Sequence, residues 1–258
     1  MACTDGSVLP ADDSSSSFER ETACGVRAVR RDAIAALRLR ERQGVDGPSL
    51  LADALCGPLA DQLAVVSSFG AESAVLLAVV AGINPATPVI FLQTGKHFPE
   101  TLAYRDRLAE HLGLSDVRDV APDQARLRSQ DPTGELWYYD DEACCAVRKV
   151  GPLEQALLPF AGWITGRKRF QAATRSGLAV VEQEAGRLKL NPLAGWDQRR
   201  LQDEFAARAL PRHPLVDQGY RSIGCAVCTR AVGSGEDGRA GRWSGSGKVE
   251  CGIHRVPA

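Results

Sequence analysis

The chain has 258 residues, 44% apolar and 24% charged, with a formal net charge of −1. These are globular values for a chain long enough to bury a sizeable core, and near-neutrality excludes a general polyanion binder, which is clearly basic. The start is polar and the longest apolar run, residues 74–81, falls far short of the roughly 18 needed to span a bilayer, so the expected setting is cytoplasmic, with neither membrane nor nucleic acid as partner.

In chain order, residues 1–17, with serines from Ser14 to Ser17, read as a disordered tail. Residues 18–43 are rich in Ala, Arg and Glu and predict one or two surface helices, ended by Gly44. The compact apolar run Leu63-Ala64-Val65-Val66 predicts a buried parallel strand. It leads through Ser67-Ser68-Phe69-Gly70 into a helix over 71–81. Val89-Ile90-Phe91-Leu92 predicts a second strand, ending in Gln93-Thr94-Gly95, and Pro99 opens the next helix. Residues 116–120 and Trp163-Ile164-Thr165 predict a third and a fourth strand, on either side of a helix carrying Cys144-Cys145. Residues 179–182 and 187–190 predict two more strands or a hairpin, and a helix over 197–208 follows. Such alternation specifies an α/β fold, a mostly parallel twisted sheet flanked by helices. The α/β domain is placed at 18–235, and 236–258 is expected to be a mobile, loop-rich C-terminal segment.

Three groups of residues carry chemistry. The junction Ser67-Ser68-Phe69-Gly70 joins a strand to a helix, and a helix start offers free N–H groups and partial positive charge to an anion. No Walker lysine follows, which argues against an ordinary P-loop NTPase. The second group is four cysteines, Cys144-Cys145 and Cys225-x-x-Cys228. The latter pair has the knuckle spacing that brings two thiolates to one metal centre, whereas adjacent helical residues diverge by about 100° and suit two irons of a bulky cluster. Arg148 and Lys149 each stand four residues after a cysteine, one helical turn on, where they would offset thiolate charge and leave cationic ends for a ligand. The third group is cationic: Gly166-Arg167-Lys168-Arg169-Phe170-Gln171 with Arg175, and Arg239-Ala240-Gly241-Arg242-Trp243. Guanidinium groups bind phosphate or sulfate through paired donors. Near the C-terminus, Lys248-Val249-Glu250-Cys251-Gly252-Ile253-His254 sets one cysteine between a lysine and a histidine, suited to a stabilised thiolate nucleophile.

Taken together, Cys144-Cys145-x-x-Arg148-Lys149, Gly224-Cys225-x-x-Cys228-Thr229, the Arg239–Trp243 run and Lys248-x-Glu250-Cys251-Gly252-x-His254 resemble the assimilatory adenylyl-sulfate (APS) reductases. These belong with the phosphoadenylyl-sulfate (PAPS) reductases and share the adenine nucleotide alpha hydrolase, or ATP pyrophosphatase, fold. The resemblance implies a 4Fe-4S cluster on Cys144, Cys145, Cys225 and Cys228 that shapes the site without changing redox state. It implies nucleotide contacts from Ser67, Ser68, Phe69 and Gly70 and from Leu92, Thr94 and Gly95. Lys149, Arg169, Arg242 and His254 are implied to surround sulfate and phosphate, with Gly166, Arg167, Lys168, Gln171, Arg175 and Arg239 as further substrate contacts. Cys251 is implied to take the sulfonate as an S-sulfocysteine with release of AMP, and thioredoxin or a similar dithiol to release sulfite, in sulfate assimilation toward cysteine. A homo-oligomer is compatible with this. No thioredoxin-like segment follows Cys251, so the reductant is expected to be a separate protein. Gln93, Ser73 and the segment Ser244-Gly245-Ser246-Gly247 depart from the family pattern. The competing readings are a PAPS reductase, an iron–sulfur ATP pyrophosphatase acting on RNA, and a zinc-stabilised nucleotide-binding module.

Overall fold

The computed structural model describes residues 14–184 and 186–254, with side chains from residue 28 onward. In chain order the elements are α1 (Ser14–Arg42), α2 (Gly47–Cys56), β1 (Leu63–Val66), α3 (Ser73–Ala81), β2 (Val89–Leu92), α4 (Pro99–Leu112) and β3 (Val117–Val120). There follow α5 (Gln124–Gln130), α6 (Leu136–Tyr139), α7 (Asp141–Cys145), a π-helical turn (Ala146–Val150), α8 (Gly151–Ala156), β4 (Gly162–Ile164), β5 (Val181–Glu184), β6 (Arg187–Leu190) and α9 (Gln198–Ala207). The tail expected over 1–17 lies outside the described residues as far as residue 13, and Ser14 already belongs to α1.

The six strands form one sheet in the order β3-β2-β1-β4-β6-β5, parallel except for β5, which closes the hairpin with β6. Leu63, Val65, Val89, Phe91 and Ile164 enter one core, against α1 to α4 and α9. Ala64, Val66, Ile90, Leu92 and Trp163 enter a second, against α8 and Phe160. Strands buried on both faces leave no polar face to alternate, which is why β1 and β2 read as unbroken apolar runs. The sheet admits no side chain at Gly162: a Cβ there would lie 2.4 Å from the Leu188 carbonyl oxygen on β6.

The chain runs outward from β1 through β2 to β3, then returns to the other side of β1 as β4. That reversal makes a crevice beyond the carboxyl ends of β1 and β4, the place where open α/β sheets bind ligands.

His213 ties the C-terminal loops to α4. Its Nδ1 accepts from the Leu215 N–H at 3.2 Å, so the proton lies on Nε2, which donates to Thr101 Oγ1 at 3.0 Å. The ring is fully buried, and burial lowers its pKa from 6.5 to about 4. The unfolded chain therefore takes up the proton first, and the stability from neutral His213 is present above pH 6.5 and lost as pH falls toward 4. Between pH 7 and pH 5 the loss is about 2 kcal/mol from this residue. Denaturant unfolding of wild type and His213→Asn, which keeps an acceptor at the cap, checks it: the variant's stability should fall less over this interval.

Candidate active site

A cavity of about 760 Å³ occupies the crevice, lined by Ser67, Ser68, Gly70, Leu92, Lys149, Gly166, Arg167, Lys168, Gln171, Arg175, Arg239, Arg242, Cys251 and His254 among others. These fourteen residues, all singled out in the sequence, thus meet at one place, and Cys225 of the spaced pair joins them. Phe69 is instead a core residue, edge-on to Phe91 with ring centroids 5.7 Å apart, and its φ of 47° puts a bulky residue in the left-handed region. Backbone held in that region is stored strain, and here it shapes the turn out of β1. Thr94 is buried with its hydroxyl 3.4 Å from Cys225 Sγ, and Gly95 forms a left-handed turn beside it. The N–H donors of the Ser67–Gly70 loop are partly spent internally: the Phe69 N–H donates to Ser67 Oγ (3.2 Å) and the Gly70 N–H to Ser73 Oγ (2.9 Å). Ser73 and Gln93, which depart from the family pattern, therefore act as local caps, Gln93 accepting from the Gly95 N–H at 3.1 Å.

The cations differ in what holds them. Lys168 is buried against Glu72 (2.8 Å), and Arg167 is paired with Glu182 and Asn191. Arg169 faces away, exposed, and donates to the Leu178 carbonyl at 2.8 Å, which removes it from the cavity wall. Arg148 also turns away. Its guanidinium is buried on Asp131 and on the Thr94 carbonyl (2.8 Å), because the π-helical turn widens the step from Cys144 beyond one α-helical turn. It braces the floor of the site and presents no cationic end to a ligand. Acids distant in sequence thus neutralise a run that reads as strongly basic locally.

Lys149 reaches the nucleophile candidate, with Nζ 4.0 Å from Cys251 Sγ. Burial opposes the Lys149 charge, yet the thiols of Cys251, Cys225 and Cys145 hold its pKa above the ordinary value. The Cys251 thiol is held well below its usual range, first by the hydrogen bond from Cys145, with Lys149, the Ile253 N–H and Arg242 adding to it against burial. Cys145 is pushed up correspondingly. The Arg242 guanidinium lies over the Trp243 ring at 4.4 Å and crosses Gly224, where a Cβ would sit 2.3 Å from Arg242 Nη2. Burial lowers the pKa of Arg239 to about 10.

Three residues of the cavity wall carry a buried nitrogen with no partner among the described residues: Arg242 Nε, His254 Nδ1 and His97 Nδ1. Buried polar groups are nearly always satisfied, so three orphans around one space mark a place for a polar ligand. Burial, with Arg167, Lys189, Arg175 and Arg239 nearby, holds His254 well below its usual range and hence neutral. Sequence reasoning missed His97, although it stands four residues beyond Gln93. It also missed Glu72, two residues beyond Gly70, which pairs with Lys168, and Glu250 beside Cys251, which pairs with Arg175.

Cys144, Cys145 and Cys225 are buried and Cys228 is half-buried. Burial, opposed by Arg148 and reinforced by nearby Cys225 and Cys228, pushes the Cys144 thiol up to about 11. Among the described residues, no group of three or more His, Cys, Asp or Glu side chains stands in a metal-holding arrangement. In donor type the residues fit an iron–sulfur centre: four thiols, with Lys149 and Arg242 beside them to offset thiolate charge. No helix among the described residues is long and apolar enough to cross a membrane.

Residues 62–231 match the phosphoadenosine phosphosulfate reductase domain family. The chain is 53% identical over 194 residues to an adenosine 5'-phosphosulfate reductase of Mesorhizobium japonicum, covering 75% of this chain and 76% of that protein. It is 41% identical over 199 residues to a phosphoadenosine 5'-phosphosulfate reductase of Gloeobacter violaceus, covering 75% and 83%. Among solved structures it is similar to a PAPS reductase from Candida auris in a phosphate complex, with TM-score 0.61, 25% identity, and 75% and 94% of the two chains covered.

Proposed function

Because this chain belongs to the phosphoadenosine phosphosulfate reductase family, we propose that it reduces adenylyl sulfate to sulfite and AMP, with Cys251 as nucleophile. One observation carries the reading: the Cys251 thiol opens on a cavity whose wall combines Lys149 at 4.0 Å with Arg242 and His254, each holding a buried nitrogen with no partner among the described residues. A phosphate–sulfate anhydride is densely anionic, and a thiolate approaches it only where fixed cations offset the repulsion.

The Cys251 thiolate attacks the sulfate sulfur. An S–S bond forms, the S–O bond to the phosphate breaks, and AMP leaves with that bond's electron pair while Cys251 becomes an S-sulfocysteine. Lys149, Arg242 and Arg239 hold the anionic oxygens, and neutral His254 hydrogen-bonds without adding charge. A separate dithiol reductant of the thioredoxin kind then attacks the Cys251 sulfur and releases sulfite. That attack leaves a mixed disulfide with Cys251; the reductant's second thiol displaces the Cys251 thiolate from it, and oxidation of the two thiols to a disulfide supplies the two electrons.

Cys144, Cys145, Cys225 and Cys228 would hold a four-iron, four-sulfur cluster. When bound, that cluster shapes and polarises the sulfate end of the cavity without a change of redox state. Cys228→Ser is expected to lose iron, brown colour and sulfite release together. Iron analysis and visible spectra of oxygen-free protein check this, and wild-type protein that is colourless yet active would remove the cluster from the account.

The test of the proposal is denaturing mass spectrometry after addition of adenylyl sulfate without reductant: one sulfonate adduct, on the peptide containing Cys251. The 3'-phosphorylated substrate is the second reading, since the Gloeobacter relative is named for it. Competing the two substrates in one sulfite-release assay separates them.

A further inference from the structure

Arg175 lines the cavity, yet its guanidinium is directed at the C-terminal segment. Nε and Nη2 each donate to a different oxygen of the Glu250 carboxylate at 2.8 Å, with both side chains largely buried. Nη1 donates to Gln171 Oε1. Gln171 in turn donates through Nε2 to Glu72 Oε2 at 2.6 Å, and Lys168 Nζ meets the same oxygen at 2.8 Å. A continuous chain of hydrogen bonds thus runs from the start of α3, beside the phosphate loop, to the residue immediately before Cys251. Arg239 touches the segment only by longer contacts, 3.3 Å to the Val249 carbonyl and 3.4 Å to Glu250. On the other side of Cys251's approach, Lys248 pairs with Glu142 at 2.8 Å.

We infer that Glu250 is a positioning residue for the reaction, seating Cys251 over the substrate by closing its carboxylate on Arg175, so that Arg175 is the receptor for the C-terminal segment and no substrate ligand. The inference rests on the reading of Cys251 as nucleophile. A bidentate carboxylate–guanidinium pair fixes both distance and orientation, and a nucleophile one residue away inherits that placement. Arg239, only loosely engaged, stays available to the substrate anion. Gln171 and Glu72 hold the Arg175 fork in its plane.

The experiment combines Glu250→Gln, Arg175→Gln and the double variant, each measured for AMP affinity and for the single-turnover rate of Cys251 sulfonation at saturating adenylyl sulfate. Both single variants should slow sulfonation by about tenfold to a hundredfold, with AMP affinity within about twofold of wild type. The double variant should be no slower than the worse single one, because both changes open the same clasp. Weaker AMP binding in Arg175→Gln, or an unchanged rate in Glu250→Gln, overturns the inference. Arg175 is buried, so should its variant fail to fold, Glu250→Gln decides alone through the labelling rate of Cys251 by a bulky maleimide. Faster labelling supports the clasp and an unchanged rate overturns it. This readout needs no turnover, so it separates failure of the clasp from failure of the substrate assignment, which wild-type protein without an adduct would reveal.

Discussion

Cys251→Ser is expected to lose sulfite release by about four orders of magnitude or more, while AMP binds as it does to wild type. The serine hydroxyl is a far weaker acid than a thiol, and a lysine ammonium 4.0 Å away cannot hold an alkoxide at neutral pH. The nucleotide contacts proposed for the loop after β1 and the end of β2 involve groups that do not depend on that sulfur. Activity and binding therefore separate. Sulfite release, AMP titration and denaturing mass spectrometry give the three readouts. Labelled sulfate that stays on the variant through denaturation would place the nucleophile elsewhere.

Lys149→Gln is expected to slow Cys251 sulfonation by about a hundredfold to a thousandfold at pH 7, the range seen when one preorganised electrostatic group is removed from a developing anion. Lys149 faces the thiol of Cys251 and those of Cys225 and Cys145, and the cavity wall supplies no second lysine as close to the nucleophile. Glutamine keeps length and some hydrogen bonding but no charge. Lys149→Arg restores the charge in a wider, planar group and should recover part of the rate. Single-turnover kinetics at saturating substrate check it. A glutamine variant with an unchanged rate but a raised KM would show that Lys149 serves binding alone.

The charged side chains around the cavity show how far local sequence carries. The cations were visible as a basic run, and Arg167, Lys168 and Arg175 of that run line one cavity. Their partners were not visible, because Glu72 meets Lys168 and Gln171 across 96 and 99 residues, and Glu250 meets Arg175 across 75. Spacing rules describe neighbours on one helix or strand. They are silent on pairs made by chain reversal. The same limit explains Arg148: four residues after Cys144 means one turn only in an α-helix, and the π-helical geometry of Ala146–Val150 redirects it to Asp131.

By itself the sequence determined the class of fold and the inventory of the site. Unbroken apolar strands buried on both faces require flanking helices, and tandem and spaced cysteines, arginine runs and a cysteine between Lys248 and His254 are legible by residue type and spacing whatever their tertiary setting. Only the tertiary structure decided which of those residues face one another: that β4 returns beside β1 to open the crevice, that Phe69 supports the loop from the core and Arg169 turns to solvent, and that Glu250 closes on Arg175. The physical reason is that backbone periodicity and donor chemistry are properties of single residues and short segments. Burial, charge pairing and an unpartnered nitrogen are properties of a place, and a place exists only once distant parts of the chain have met.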